Sequence, residues 1–128
     1  MYDSYRTSKK ESISEIKHLI SKSTRIGNNT FEIIYKDNTK AIRLHYTDVV
    51  IFDTDYVILS AGNWLTHTTK SRINQYIPCG RVAQENHIWY VCGSNGKFLF
   101  YNGIKVDYNG YILSPLGKIL EENESCIT

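Results

Sequence analysis

At 128 residues the chain has room for one domain with a substantial core and little more. A 41% hydrophobic and 22% charged content is that of an ordinary soluble globular protein, which excludes a low-complexity chain. A net charge of +2 excludes any argument for nucleic acid from overall basicity, and no apolar run approaches the roughly 20 residues that span a bilayer.

Charge is spread unevenly. Residues 1–26 hold Arg6, Lys9, Lys10, Lys17, Lys22 and Arg25 against Asp3, Glu11 and Glu15, whereas the stretch from Ser114 holds Lys118 against Glu121, Glu122 and Glu124. A basic front and an acidic back point to an anionic partner near the front, weighed against the commoner case of two solvated ends. Cys79, Cys92 and Cys126 are odd in number and widely spaced, so no disulfide framework is expected and a reducing compartment fits. Lys9 and Lys10 are followed by no apolar block, which argues against a signal peptide.

In chain order, residues 1–9 read as a flexible polar N-terminus. Ser12-Ile13-Ser14-Glu15 has capping-box spacing, and Ile13, Ile16, Leu19 and Ile20 recur at helical intervals, which predicts a helix from Lys10 to Lys22. Gly27-Asn28-Asn29 breaks the chain. Strands are expected at Phe31–Tyr35, Lys40–Tyr46, Val49–Phe52 and Tyr56–Leu59. In the second of these, alternation buries Ile42, Leu44 and Tyr46 and turns Arg43 and His45 to the other face. A helix from Thr68 to Ile77 follows, stopped by Pro78. The last third reads as a meander, with strands at Arg81–Gln84, His87–Cys92, Lys97–Tyr101, Ile104–Asp107 and Tyr111–Leu113. Asn95-Gly96, Asn102-Gly103 and Asn109-Gly110 mark successive hairpins. The expected architecture is one α+β domain over residues 10–117, followed by an acidic tail at 118–128. Its centre is a small, mostly antiparallel twisted sheet or partly open barrel with one central and one N-terminal helix. Sheet edges leave pairing between copies of the chain open.

The run Gly62-Asn63-Trp64-Leu65-Thr66-His67-Thr68-Thr69-Lys70-Ser71-Arg72-Ile73-Asn74 carries the most chemistry. No carboxylate occurs between Asp55 and Glu85, so Lys70, Arg72 and Arg81 lie in a positive window. A helix start there adds free N–H groups and partial positive charge, which suits phosphate. Thr68 is the expected N-cap, and Thr69, Ile73, Tyr76 and Ile77 form the expected buried stripe. Lys70 and Asn74, one turn apart, share a flank, and Arg72 projects to the other side. That split favours an extended anionic surface over a compact pocket, or an Arg72 pinned to backbone carbonyls. Trp64 and Trp89 could stack bases, but core packing is the stronger reading for Trp64. The many tyrosines suit either sheet packing or a stacking platform.

Arg43-Leu44-His45-x-Thr47-x-Val49-Val50, then Val57-x-Leu59 and Gly62-x-Trp64-x-Thr66-x-Thr68-Thr69-Lys70-x-Arg72-Ile73-Asn74, then Val82-x-Gln84 and Trp89-x-Val91 resemble a family of small bacteriophage and prophage proteins. The likeness covers about residues 40–92, and Asn63 stands where the family usually shows a second glycine. It implies a phage accessory protein made in the host cytoplasm and brings no settled activity.

Cys79, His87 and Cys92 match no standard zinc spacing and lack a fourth ligand. There is no Gly-rich phosphate loop, nucleophile elbow or dinucleotide fingerprint, so no cofactor is implied. The leading expectation is a non-enzymatic binding protein acting on nucleic acid or a host nucleoprotein, as a counter-defence factor of the anti-CRISPR kind would. Its contact set is Arg43, His45, Trp64, Thr68, Thr69, Lys70, Arg72, Asn74 and Arg81. The alternatives are a small nuclease using His45 with Arg43 and Lys70, and a protein–protein inhibitor of a host enzyme.

Overall fold

Antiparallel pairing dominates the computed structural model, which describes residues 19–124. The elements are β1 (Ile20–Gly27), β2 (Thr30–Tyr35), β3 (Lys40–Leu44), β4 (Thr47–Phe52), β5 (Tyr56–Leu59), α1 (His67–Tyr76), β6 (Arg81–Glu85), β7 (Ile88–Gly93), β8 (Gly96–Leu99), β9 (Ile104–Asp107) and β10 (Ile112–Leu113). Seven strands form one sheet in the order β1-β2-β3-β4-β5-β9-β10, and β6-β7-β8 form a second. Neither sheet closes into a barrel: β1 and β10 are the ends of the larger one.

The predicted N-terminal helix falls mostly outside the described residues. Its last three positions, Ile20 to Lys22, lie in β1, which pairs with β2. The turns of the first meander use residues that tolerate left-handed backbone, with Asn29 at φ 51° and Asn38 at 71°. His45, at φ 56°, ends β3 two residues earlier than the alternation predicts. Tyr46 therefore sits in a turn and is 96% exposed, not buried.

Val50, Leu59, Ile73, Val91, Val106 and Ile112 belong to one core that joins both sheets to the helix. Each such side chain contributes about 1.5–3 kcal/mol on burial. A smaller cluster of Ile33, Tyr35 and Ala41 lies on β2 and β3. A helix of 10 residues is marginal alone, so α1 depends on this packing through its buried Thr69 and Ile73. Tyr76 and Ile77 pack against the core at its end, as the predicted stripe requires.

The last third departs from a simple meander. Asn95-Gly96 and Asn109-Gly110 do make hairpins, β7–β8 and β9–β10. Asn102-Gly103 instead carries the chain between sheets, because β9 pairs with β5. The Asn102 side chain fixes that crossing: its Oδ1 accepts from Ala61 N at 2.8 Å and its Nδ2 donates to Gly62 O at 2.8 Å. Asn95 is 3% exposed and fully used. Its amide donates to Ile112 O and Leu120 O, both at 2.9 Å, and accepts from Ile112 N at 2.8 Å.

The segment read as an acidic tail packs back as far as Glu124. Asn123 Nδ2 donates to Lys97 O, and Lys97 Nζ meets Glu85 at 3.0 Å and Glu124 at 2.8 Å. Cys79 is a free thiol and Cys92 is disulfide-bonded, so the expectation of unlinked cysteines fails at Cys92.

Candidate functional site

The β1–β2 turn holds two arginine side chains and the backbone amide of His45. Its carbonyls Gly27 O, Asn28 O and Asn29 O accept from Arg25 Nε (3.1 Å), Arg72 Nη2 (3.4 Å) and His45 N (2.8 Å). Arg72 is held more firmly by Thr30, whose Oγ1 accepts from Nε at 2.8 Å and itself donates to Asn28 O at 2.7 Å. Strand β1 and helix α1 thus each place a guanidinium at one hairpin tip, and the β3–β4 turn is tied to it through the His45 backbone.

Beside that tip lies an apolar cavity of about 320 Å3, lined among the described residues by His45, Tyr46 and Trp64. Trp64 is 64% exposed, so the core reading of this residue is corrected; Trp89 takes the core place instead, edge-on to Phe100 at 5.4 Å. Local backbone puts Trp64 where it is. Gly62 has φ 60°, and a Cβ there would sit 3.0 Å from Thr47 Oγ1, so glycine lets the β5–α1 loop close on β4 without strain or crowding. The left-handed residue is thus Gly62, and Asn63 in place of a second glycine leaves the turn intact. Trp64 N donates to Ala61 O at 3.0 Å, and Asn102 clamps the same loop from the other side.

The helix start differs by two residues from the predicted one. Thr66, not Thr68, is the N-cap, with extended backbone (φ −114°, ψ 163°) and its Oγ1 accepting from Thr69 N at 3.2 Å. Thr68 is exposed on the first turn, and Thr69 is buried against Thr66. The two flanks fall as helical spacing requires. Lys70 donates to Gln84 Oε1 at 2.9 Å, and Asn74 exchanges hydrogen bonds with both backbone groups of Val82, on the side opposite Arg72.

Arg43 turns away from the turn cluster. Its Nε donates to Asp48 Oδ1 at 2.7 Å and its Nη2 to Tyr35 OH at 2.9 Å; the Tyr35 hydroxyl donates in turn to Asp48 Oδ2. Burial, and then the Asp48 carboxylate, push the Tyr35 hydroxyl above its ordinary pKa, while Asp48 raises that of Arg43. Arg81 lies on β6 and lines a different cleft of about 450 Å3 with Cys79, Ser94 and Asn109.

Of the nine residues predicted for contact, His45, Trp64 and Arg72 meet around the turn and cavity. Arg43, Thr69, Lys70 and Asn74 are engaged within the scaffold, Thr68 stands apart and Arg81 belongs to another cleft. Of the residues grouped with His45 in the nuclease alternative, Arg43 is paired with Asp48 and Lys70 donates to Gln84. Sequence reasoning missed Tyr46 and Arg25. Tyr46 was hidden by an alternation that continues one step past the real strand end. For Arg25 the signals are its membership of the basic front and its place just before Gly27-Asn28-Asn29. The imagined zinc set loses Cys92 to its disulfide, and among the described residues no group of three or more His, Cys, Asp or Glu could hold a metal ion.

The model of a phage protein family, the Kyanoviridae Gp96 protein, matches residues 8–109. The match spans most of the chain, which therefore belongs to that family. No curated protein and no solved structure matches the chain. Among the described residues no helix is long and apolar enough to cross a membrane.

Proposed function

We propose that this phage protein is a small binding protein that acts on nucleic acid or on a host nucleoprotein, in the manner of a counter-defence, anti-CRISPR-like inhibitor in the host cytoplasm. One observation carries the reading: Arg25 and Arg72 meet at the β1–β2 turn, and the backbone of His45 ties to that turn an apolar cavity lined by His45, Tyr46 and Trp64. Fixed cations next to exposed aromatic faces are the two components by which proteins hold nucleic-acid strands, phosphates on the cations and bases on the rings. The two carboxylates nearest the turn and the cavity in sequence, Glu32 and Asp48, are paired with Lys40 at 3.9 Å and Arg43 at 2.7 Å. A phage protein made during infection meets the host's defence nucleoproteins, which supports the counter-defence setting.

Anisotropy of a labelled oligonucleotide across a salt series tests this. Two phosphate contacts on a single strand give a log–log slope of about −1.4, and Arg25→Gln lowers its magnitude by about 0.7. Arg25 is exposed, so the variant keeps the fold. Absence of binding to any nucleic acid at low salt contradicts the reading, and capture of a host protein from nuclease-treated lysate would then favour a protein–protein inhibitor.

A further inference from the structure

We infer that the cavity between Tyr46 and Trp64 takes an unstacked base of a single strand, with the adjoining phosphates on Arg25 and Arg72; this rests on the nucleic-acid reading above. Tyr46 and Trp64 are the two most exposed aromatic side chains near the turn, and neither finds a core neighbour. Both are nevertheless held on anchored backbone. The β3–β4 turn is tied to Asn29 through His45 N, and the β5–α1 loop is tied by Gly62 against Thr47 and by Asn102. Aromatic side chains with open faces on anchored backbone form a stacking surface, and the loop that carries them needs little ordering on binding.

The strand state follows from what the surface lacks. Inside a duplex the base faces are covered by their neighbours, so an aromatic cleft has nothing to stack on. Reading a duplex instead requires a helix or ribbon that enters a groove with cations aimed at the backbone. Helix α1 does not provide this. Its exposed residues are His67, Thr68, Ser71, Asn74 and Gln75, of which Asn74 spends its amide on Val82, while its two cations bend sideways to Gln84 and Thr30. The cations that remain near the aromatic cleft lie at one hairpin tip, within reach of a strand whose base enters the cavity. Stacking tolerates any base, so the expected preference is for strand state over sequence.

The test uses the full chain and its own fluorescence, with dT10 and a ten-base-pair duplex as probes. Trp64 is exposed and Trp89 is buried, so quenching on binding reports the former. The expected result is quenching by dT10 at a concentration about tenfold below that needed for the duplex. Trp64→Ala then weakens dT10 binding by roughly 5- to 150-fold, and Tyr46→Ala acts in the same direction. A ten-residue abasic strand read by anisotropy loses affinity over the same range while keeping the salt slope of dT10, which needs no variant to fold. Equal or tighter duplex binding, or unchanged affinity in Trp64→Ala, overturns the inference and leaves the nucleic-acid reading standing. No binding of either probe overturns both. Displacement of dT10 by an equimolar glutamate decapeptide also overturns it, in favour of an acidic protein partner.

Discussion

Tyr35 shows how one hydroxyl settles the charge on β2–β4. It donates to Asp48 and accepts from Arg43, so the carboxylate and guanidinium stay paired in a half-buried place. Burial first, then Asp48, raises its pKa above the ordinary 10.0. The folded chain therefore holds this proton more tightly than the unfolded chain. Its contribution to stability is complete below pH 10 and is lost as pH rises through the higher folded value. In a phenolate absorbance titration, Tyr35 should ionise later than the exposed tyrosines, and Tyr35→Phe should remove that late step. Tyr108, raised by burial and then by Asp53 and Asp55, stays late in both proteins. A Tyr35 that ionises with the exposed tyrosines contradicts the network. None of this was legible in the sequence, which shows Arg43 on an outward face but not the Asp48 that turns it inward across a register shift.

At the scale of elements, periodicity served where burial is strong and failed where it is weak. The split of Lys70 and Asn74 from Arg72 follows from helical geometry alone and holds in the structure. Strands rich in Val and Ile were placed within a residue or two. Strand β1 was not seen, because Ile20-Ser21-Lys22-Ser23-Thr24-Arg25-Ile26-Gly27 has little apolar alternation and is exposed almost throughout. It is a strand because β2 supplies a hydrogen-bonded partner, a tertiary cause that local pattern does not carry. The helix start was misplaced for a related reason: several threonines in a row can each cap, and only the backbone angle of Thr66 decides. Thr66→Ala should therefore cost about 1 kcal/mol in chemical denaturation, and Thr68→Ala less than about 0.5 kcal/mol. The reverse order would restore Thr68 as the cap.

For the whole molecule, asparagines do what hairpin reasoning could not foresee. Asn102 sends β9 across to β5, and Asn95 binds the β7–β8 hairpin to β10 and to the segment after it. Each looks like a turn signal in the sequence, yet each is a long-range clamp. Their effect on the candidate site is direct, since Asn102 holds the loop that carries Trp64. The family match bears out the expectation of a small phage protein family and covers residues 8–109. The meeting of Arg25 and Arg72 at one turn, with His45, Tyr46 and Trp64 around the adjoining cavity, needs β1, α1, the β3–β4 turn and the β5–α1 loop to come together, so it could only be seen once the fold was known.

The most direct measurement of the central claim is a pair of 1H–15N correlation spectra of the full chain, without and with dT10. The account predicts shifts at the amides of Asn28, Asn29, His45, Tyr46 and Trp64 and at the Trp64 indole, with Gly80, Ser94 and Gly110 unmoved. Shifts confined to the cleft around Cys79 and Arg81, or no shifts at saturating dT10, would contradict it.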